Sequence, residues 1–308
     1  MENKKPIIID TDPGIDDAVA IAIALYSEEL DVKLITSVHG NVGIDKTTAN
    51  CLKLLKFFKR NIKVAQGAEL PLIRASSEAK SVHGESGMDG YDFGEIDDFL
   101  LLKENAVNAM YKVIMESPDK ITILAIGPLT NLALLFKVYP KIKNNIEEIV
   151  LMGGSTARGN MGVMSEFNIN ADPDAAKIVF MSKIPIAVAP LDVGLKALVY
   201  PVDSSKIKEF NETGKMIYSL FQHYRSFGLR NGLKMYDSCA VAYLLKPEMF
   251  TIEETFVDVE ICGEYTVGTT VVDLKNYLKK EPNAKVCIDI DQNMFKEWLL
   301  DSLKKCNI

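Results

Sequence analysis

Short apolar runs punctuate the first two thirds of the chain: Ile7 to Ile9, Val32 to Val38, Ile62 to Ala65, Ile121 to Ala125, Ile149 to Met152 and Ile186 to Ala189. Runs that lack strict polar alternation suit strands covered on both faces. Between them lie amphipathic segments, around Asp17 to Ser27, Thr47 to Phe58, Glu104 to Met115, Leu129 to Phe136 and Pro173 to Met181, which suit the crossovers of a parallel sheet. The fold class that follows is α/β: an open, mostly parallel, doubly wound, Rossmann-like sheet with helices on both faces. After Pro201 the pattern predicts a helical C-terminal part from Ser204 to Leu245, then a β-rich stretch from Glu254 to Val272, a strand at Val286 to Ile290 and a last helix from Gln292 to Lys305. No linker-like composition or internal repeat interrupts it, so residues 1–308 are expected to form one domain.

In such sheets ligands collect beyond the carboxyl ends of the strands, which points to the loops starting at Asp10, His39, Ile126, Gly153 and Leu191. The 42 acidic residues exceed the 35 basic ones by seven, and both are mixed along the chain. No basic footprint for nucleic acid or an anionic membrane results, and a small molecule is the expected partner. The apolar run from Pro6 to Ile9 is far too short for a signal peptide or a membrane span, so a cytoplasmic location is expected. Five scattered cysteines without Cys-x-x-Cys spacing predict buried or incidental thiols, neither a disulfide framework nor a zinc site.

The first of those loops, Asp10-Thr11-Asp12-Pro13-Gly14-Ile15-Asp16-Asp17, holds four carboxylates between a strand and a helix. Like charges a few ångströms apart repel and raise one another's pKa unless a cation sits among them. Helix capping by Asp16 or Asp17 explains one or two of the four, not all. Hard oxygen ligands without a nearby His or Cys select calcium or magnesium, and flexible coordination by several carboxylates plus a carbonyl favours Ca2+. By itself Asp10-x-Asp12 after a strand also fits a magnesium-dependent phosphohydrolase of the haloacid-dehalogenase type, with Asp10 as nucleophile and Asp12 as acid/base.

Pro13-Gly14 and the doublet Asp16-Asp17 discriminate. With Ile126-Gly127-Pro128-Leu129-Thr130-Asn131, Met152-Gly153-Gly154, Gly159-Asn160, Glu166-Phe167-Asn168 and Ala171-Asp172-Pro173, the loop closely resembles the inosine-uridine-preferring nucleoside hydrolase family, in the same order and over nearly the whole chain. The resemblance implies calcium-dependent hydrolysis of the N-glycosidic bond of a ribonucleoside to ribose and free base, serving nucleoside salvage, in a homodimer or homotetramer. It implies metal ligation by Asp12, Asp17 and Asp237 and by the main-chain carbonyl of Ile126. Asp12 would also be the general base for the metal-bound water. Asp16, Asn41, Asn160, Glu166 and Asn168 would bind ribose hydroxyls, Met152 would press on the sugar, and Asp10 would take a sugar-binding or supporting role. His83, Phe167, His223 and Tyr224 would surround the base. Asp172-Pro173, in contrast, reads as N-cap and first residue of a helix.

One position departs from the pattern. Many members carry a histidine directly before the last metal-binding aspartate, assigned to protonating the departing base; here Tyr236 precedes Asp237. An unperturbed phenol is a weaker acid than imidazolium, so Tyr236 and His83 share the expectation for that step. Tyr236 also keeps open a non-catalytic ribose- or nucleoside-binding protein. The only tryptophan, Trp298, falls in the last helix, so indole stacking on a purine has no counterpart in the pocket loops and the expected base preference is broad or leans to pyrimidines.

Overall fold

The computed structural model describes residues 4–224 and 231–308. Among the described residues twelve strands form: β1 (Lys5–Thr11), β2 (Leu30–Ser37), β3 (Val64–Gln66), β4 (Ile121–Ala125), β5 (Ile146–Met152), β6 (Ile186–Ala189), β7 (Leu198–Val199), β8 (Leu233–Lys234), β9 (Phe250–Thr255), β10 (Val257–Val259), β11 (Thr270–Val272) and β12 (Ala284–Ile290). Eight of them make one sheet in the order β3-β2-β1-β4-β5-β6-β12-β9. Every pairing is parallel except that of β9 with β12.

The helices that follow these strands are α1 (Ile15–Tyr26), α2 (Ile44–Phe57), α3 (Lys80–His83), α4 (Ala106–Glu116), α5 (Thr130–Val138), α6 (Phe167–Ala171), α7 (Pro173–Phe180), α8 (Leu191–Gly194), α9 (Pro201–Lys208), α10 (Glu212–Phe221), α11 (Tyr236–Leu245) and α12 (Gln292–Lys305). Successive strand residues face opposite sides. Ile7 and Ile9 accordingly join one apolar cluster with α1, α2, α10, α11 and α12, while Ile8 joins a second with α4, α5 and α7. Both faces of the sheet are therefore dry, which is why its strands read as continuous apolar runs. Every residue of α1 from Ile15 to Leu25 is buried. Its own sequence is apolar nearly all round, as a helix enclosed by others must be.

The structure differs from the sequence reading in three places. The polar, Gly-rich make-up of the stretch 153–170 predicts no regular element, yet α6 starts within it because the Glu166 carboxylate accepts from the backbone N–H groups of Asn168 and Ile169 and so caps its first turn. The stretch 204–245 is not continuously helical: β8 pairs with β7 just ahead of α11, and residues 225–230 lie outside those described. The last strand to join the sheet in space, β9, starts at Phe250, earlier than expected, and runs antiparallel. All five cysteines are free thiols, four of them buried and Cys262 exposed. Among the described residues no helix is long and apolar enough to cross a membrane.

Candidate active site

From β1 the chain winds outward through β2 to β3, then returns to place β4 on the other side of β1. Ligands favour the crevice at such a switch point. The turn after β1 and the residue after β4, Ile126, flank it. Within the turn Asp17 reaches back, its Oδ1 accepting from Thr11 Oγ1 at 2.6 Å and its Oδ2 from the Gly14 N–H at 2.9 Å. Asn41, arriving from the end of β2, donates its backbone N–H to Asp12 Oδ2 at 2.7 Å and its amide to the Asp12 carbonyl at 3.1 Å and Asp17 Oδ2 at 3.3 Å. Asp12 is gripped between two glycines: a Cβ on Gly40 would stand 2.0 Å from Oδ2, and one on Gly127 2.7 Å from Oδ1.

Packing of α11 against α1 brings Asp237 to the same spot. Asp16, Asp17 and Asp237, all buried, each present a carboxylate oxygen within 4.8 Å of the others. Burial, then the charge of Asp16, pushes Asp17 up to about 7. Burial raises Asp12 and Asp237 well above the usual carboxylate range, with Asp17 adding to the first and Asp16 to the second. Without a cation, carboxylates this close and this dry retain protons; an oxygen-only donor set of this kind fits a hard divalent ion. The ligands expected from the sequence were Asp12, Asp17, Asp237 and the Ile126 carbonyl. The grouping seen here contains Asp16 and omits Asp12.

Beside this cluster opens a cavity of about 340 Å³. Tyr236 and Asp237 enter it from the first turn of α11, Asp16 from α1, and Asn41 from beyond β2. Ile126 and Met152 come from the ends of β4 and β5, and Glu166, Phe167 and Asn168 from α6 and its cap. His83 enters from α3 and Tyr224 from beyond α10, their rings 5.3 Å apart, while Asn160 sits exposed at the rim. The side chains of Asp12 and Asp17 lie behind this lining. Two expected residues are not brought to the cavity. His223 is exposed, with Nδ1 3.2 Å from the Ser219 carbonyl oxygen. Asp10 is wholly buried, its Oδ1 held by Thr36 Oγ1 at 2.5 Å and by the Asn131 amide at 2.8 Å, and burial pushes it up to about 7. Its cross-strand partner in the register of β1 and β2 is that same Thr36.

Two cavity residues work on the backbone as well. Glu166 accepts from three N–H groups, those of Asn168 at 2.9 Å, Gly154 at 2.9 Å and Ile169 at 3.2 Å, though burial still lifts it to about 7. The Asn168 amide donates to the carbonyls of Ile126 at 3.2 Å and Met152 at 3.1 Å, tying the ends of β4 and β5 together. Sequence reasoning missed Glu78, Ala79, Ser81, Val82 and Met161, which also line the cavity. Nothing in their types marks them; only the fold brings the segment around α3 over the switch point. Asp172 does cap α7, accepting from the Ala175 N–H at 3.0 Å, and it also holds the Leu72 N–H and Thr130 Oγ1, each at 2.8 Å.

The sequence model of the inosine-uridine preferring nucleoside hydrolases matches residues 7–297. The chain is 49% identical over 302 residues to the non-specific ribonucleoside hydrolase RihC of Escherichia fergusonii, covering 98% of this chain and 99% of that one. It is 50% identical over 295 residues to the protein of the same description from Salmonella typhi, covering 96% of each. Among solved structures, a plant nucleoside hydrolase, PpNRh1, superposes with a TM-score of 0.91 at 30% identity over 98% of this chain and 99% of that one. The purine-preferring ribonucleoside hydrolase of Gardnerella vaginalis does so with a TM-score of 0.90 at 27% identity over the same shares.

Proposed function

The chain belongs to the inosine-uridine preferring nucleoside hydrolase family and is a ribonucleoside hydrolase, and from that premise we propose that it works with calcium, on purine and pyrimidine nucleosides alike or leaning to pyrimidines. One observation carries the metal reading: Asp16, Asp17 and Asp237 converge, buried, beside a cavity whose lining includes the polar side chains of Asn41, Asn160, Glu166 and Asn168. Asp17 and Asp237 would hold the ion with the Ile126 carbonyl and Asp12, and Asp16 stands near enough either to join them or to take a ribose hydroxyl. When bound, the ion would supply a Lewis acid that makes a water easier to deprotonate and gathers vicinal hydroxyls.

The chain's own residues do the rest. Asp12, fixed by the Asn41 N–H and two glycine backbones, takes a proton from the attacking water. Asn41, Asn160, Glu166 and Asn168 orient the ribose through its hydroxyls, with Met152 against the ring. Asp16, Asp237 and Glu166 supply negative charge around a sugar ring that turns positive as the glycosidic bond breaks. Phe167, Tyr224, Tyr236 and His83 enclose the departing base. Broad preference is supported by the two relatives described as non-specific and by a pocket whose aromatic lining holds no indole. Asp10, the nucleophile a phosphohydrolase would need, is sealed behind Thr36 and Asn131, away from the cavity. A homodimer or homotetramer and a cytoplasmic location complete the reading.

The test measures ribose released from uridine, cytidine, inosine and adenosine with calcium and with chelator, beside phosphate released from a simple ester. We expect ribose from both pyrimidine nucleosides, lost on chelation and restored by calcium, and Asp12→Ala slower by about 10³-fold. Phosphate release without ribose, or turnover indifferent to chelator, sinks the proposal.

A further inference from the structure

Strands β10 and β11 pair with each other and with no strand of the eight-stranded sheet. An isolated two-stranded ribbon is marginal in water and needs something to pack on. Lys177 of α7 holds this one, its Nζ donating to Asp258 at 2.8 Å and to the Val259 carbonyl at 3.3 Å, while Arg74 donates to the Ile261 carbonyl at 2.6 Å. Among the described residues, none from the ribbon lines the cavity beside the carboxylate cluster. The ribbon grips instead the loop that carries part of that lining.

That loop follows β5 and ends at Glu166, and both of its feet stand on the ribbon. At the first foot the Thr270 hydroxyl accepts from the Ser155 N–H at 2.8 Å and donates to the Ser155 carbonyl at 2.7 Å. One side chain thus serves both backbone groups of a buried residue, which would be costly to leave unpaired. At the second foot Ser165 Oγ faces the Gly268 carbonyl at 2.9 Å and, at a longer 3.2 Å, that of Glu166. Glycine permits each approach. Gly154 has φ +71° and a Cβ there would lie 2.6 Å from Thr270 Cγ2; Gly268 has φ +81° and a Cβ there would lie 2.3 Å from Ser165 Oγ. The Ser165 carbonyl in turn accepts from the N–H groups of Asn160 at 2.9 Å and Met161 at 2.8 Å. Asn160, exposed at the cavity rim, is therefore located by Ser165, and Ser165 by the ribbon.

We propose that residues 268–270 clamp the loop 155–165 at both feet and so hold Asn160 in place for the sugar, with Thr270 and Ser165 as positioning residues for ribose binding. The word ribose rests on the ribonucleoside reading, whereas the clamp stands on the hydrogen bonds. A loop released at one foot would spread Asn160 over many positions, and each binding event would have to gather it again at an entropic cost. The ribbon sends no side chain into the cavity, so losing the clamp weakens sugar binding and leaves the chemical step nearly unchanged.

Thr270→Val keeps the shape of the side chain and removes the hydroxyl, whereas Thr270→Ser keeps the hydroxyl. With calcium present, we expect Thr270→Val to raise KM for uridine and the inhibition constant of free D-ribose about tenfold, with kcat within about threefold of the parent, as the loss of one or two net hydrogen bonds implies. Thr270→Ser should stay within about threefold of the parent in all three quantities. Amide hydrogen exchange should quicken in residues 155–165 of the valine variant and not in residues 78–83, which belong to the same cavity wall. The clamp is overturned by a KM and a ribose constant within about twofold of the parent, by a serine variant as impaired as the valine one, or by exchange quickened equally in both segments. Should Thr270→Val not fold, Ser165→Ala removes the other contact and is read by the same kinetics and exchange. Should the parent release no ribose from any nucleoside, the functional reading fails while hydrogen exchange still decides the clamp.

Discussion

On the proposed reading, base preference turns on Tyr236. It is buried at the start of α11, it lines the cavity, and it stands directly before Asp237. If its hydroxyl assists the departing base, bases that leave poorly depend on it most. Tyr236→Phe is therefore expected to lower kcat by about 10- to 100-fold in a base-dependent way, read as the ratio of uridine to inosine turnover in variant and parent; an unchanged ratio removes the phenol from the step. The residues proposed for the site could be named from the sequence because the chemistry proposed for them demands their types: hard carboxylate oxygens for a cation, amides for a sugar. The cavity residues Ala79, Val82 and Met161 were not legible, since an apolar side chain carries no mark of the pocket it lines. Neither was the exposure of His223, which depends on how the chain turns just beyond α10.

At the scale of elements, the site rests on caps contributed across the sheet. Asp172 joins three elements through one carboxylate: the start of α7, the segment at Leu72, and Thr130 at the start of α5. Thr130 in turn meets His39 Nε2 at 2.9 Å just beyond β2. Asp172→Ala should cost about 2–4 kcal/mol in urea unfolding, the sum of a lost cap and stranded partners; a loss under about 1 kcal/mol shows that neighbours or water replace it. Its capping role was plain from Asp172-Pro173. Its other two bonds were not, because they depend on how α5 and α7 pack side by side. The strands of the parallel core were plain for the opposite reason. A strand dry on both faces leaves an apolar run that no loop or exposed helix imitates. The stretch 153–170 misled because one buried glutamate, invisible as a cap in composition, is enough to start α6.

Taken whole, the molecule concentrates costly charge in a dry interior. Asp10, Asp17 and Glu166 have their carboxyls pushed up to about 7 from ordinary values near 4, all mainly by burial. The sign follows: between pH 4 and 7 the folded protein keeps protons that the unfolded chain releases, so this contribution is complete below pH 4 and is lost as the pH rises through 7. In chelator, Tm should fall from pH 5 to pH 8. On the proposed reading calcium replaces protons at Asp17 and Asp237, so it should raise Tm more at pH 8 than at pH 5, as calorimetry at the two pH values will read. An equal rise at both would separate the metal from these carboxylates. The same sheet that gathers this charge must also end somewhere. At one end the three-residue β3 is covered on its outer side by the segment Leu100 to Leu102, whose backbone takes up the Val64 N–H and C=O. At the other, β9 holds Glu253 and Glu254 exposed on the outermost strand. A stray β-segment or a second sheet thus meets one edge already occupied and another that repels its own copy, and both features disfavour the edge-to-edge pairing that templates fibrils.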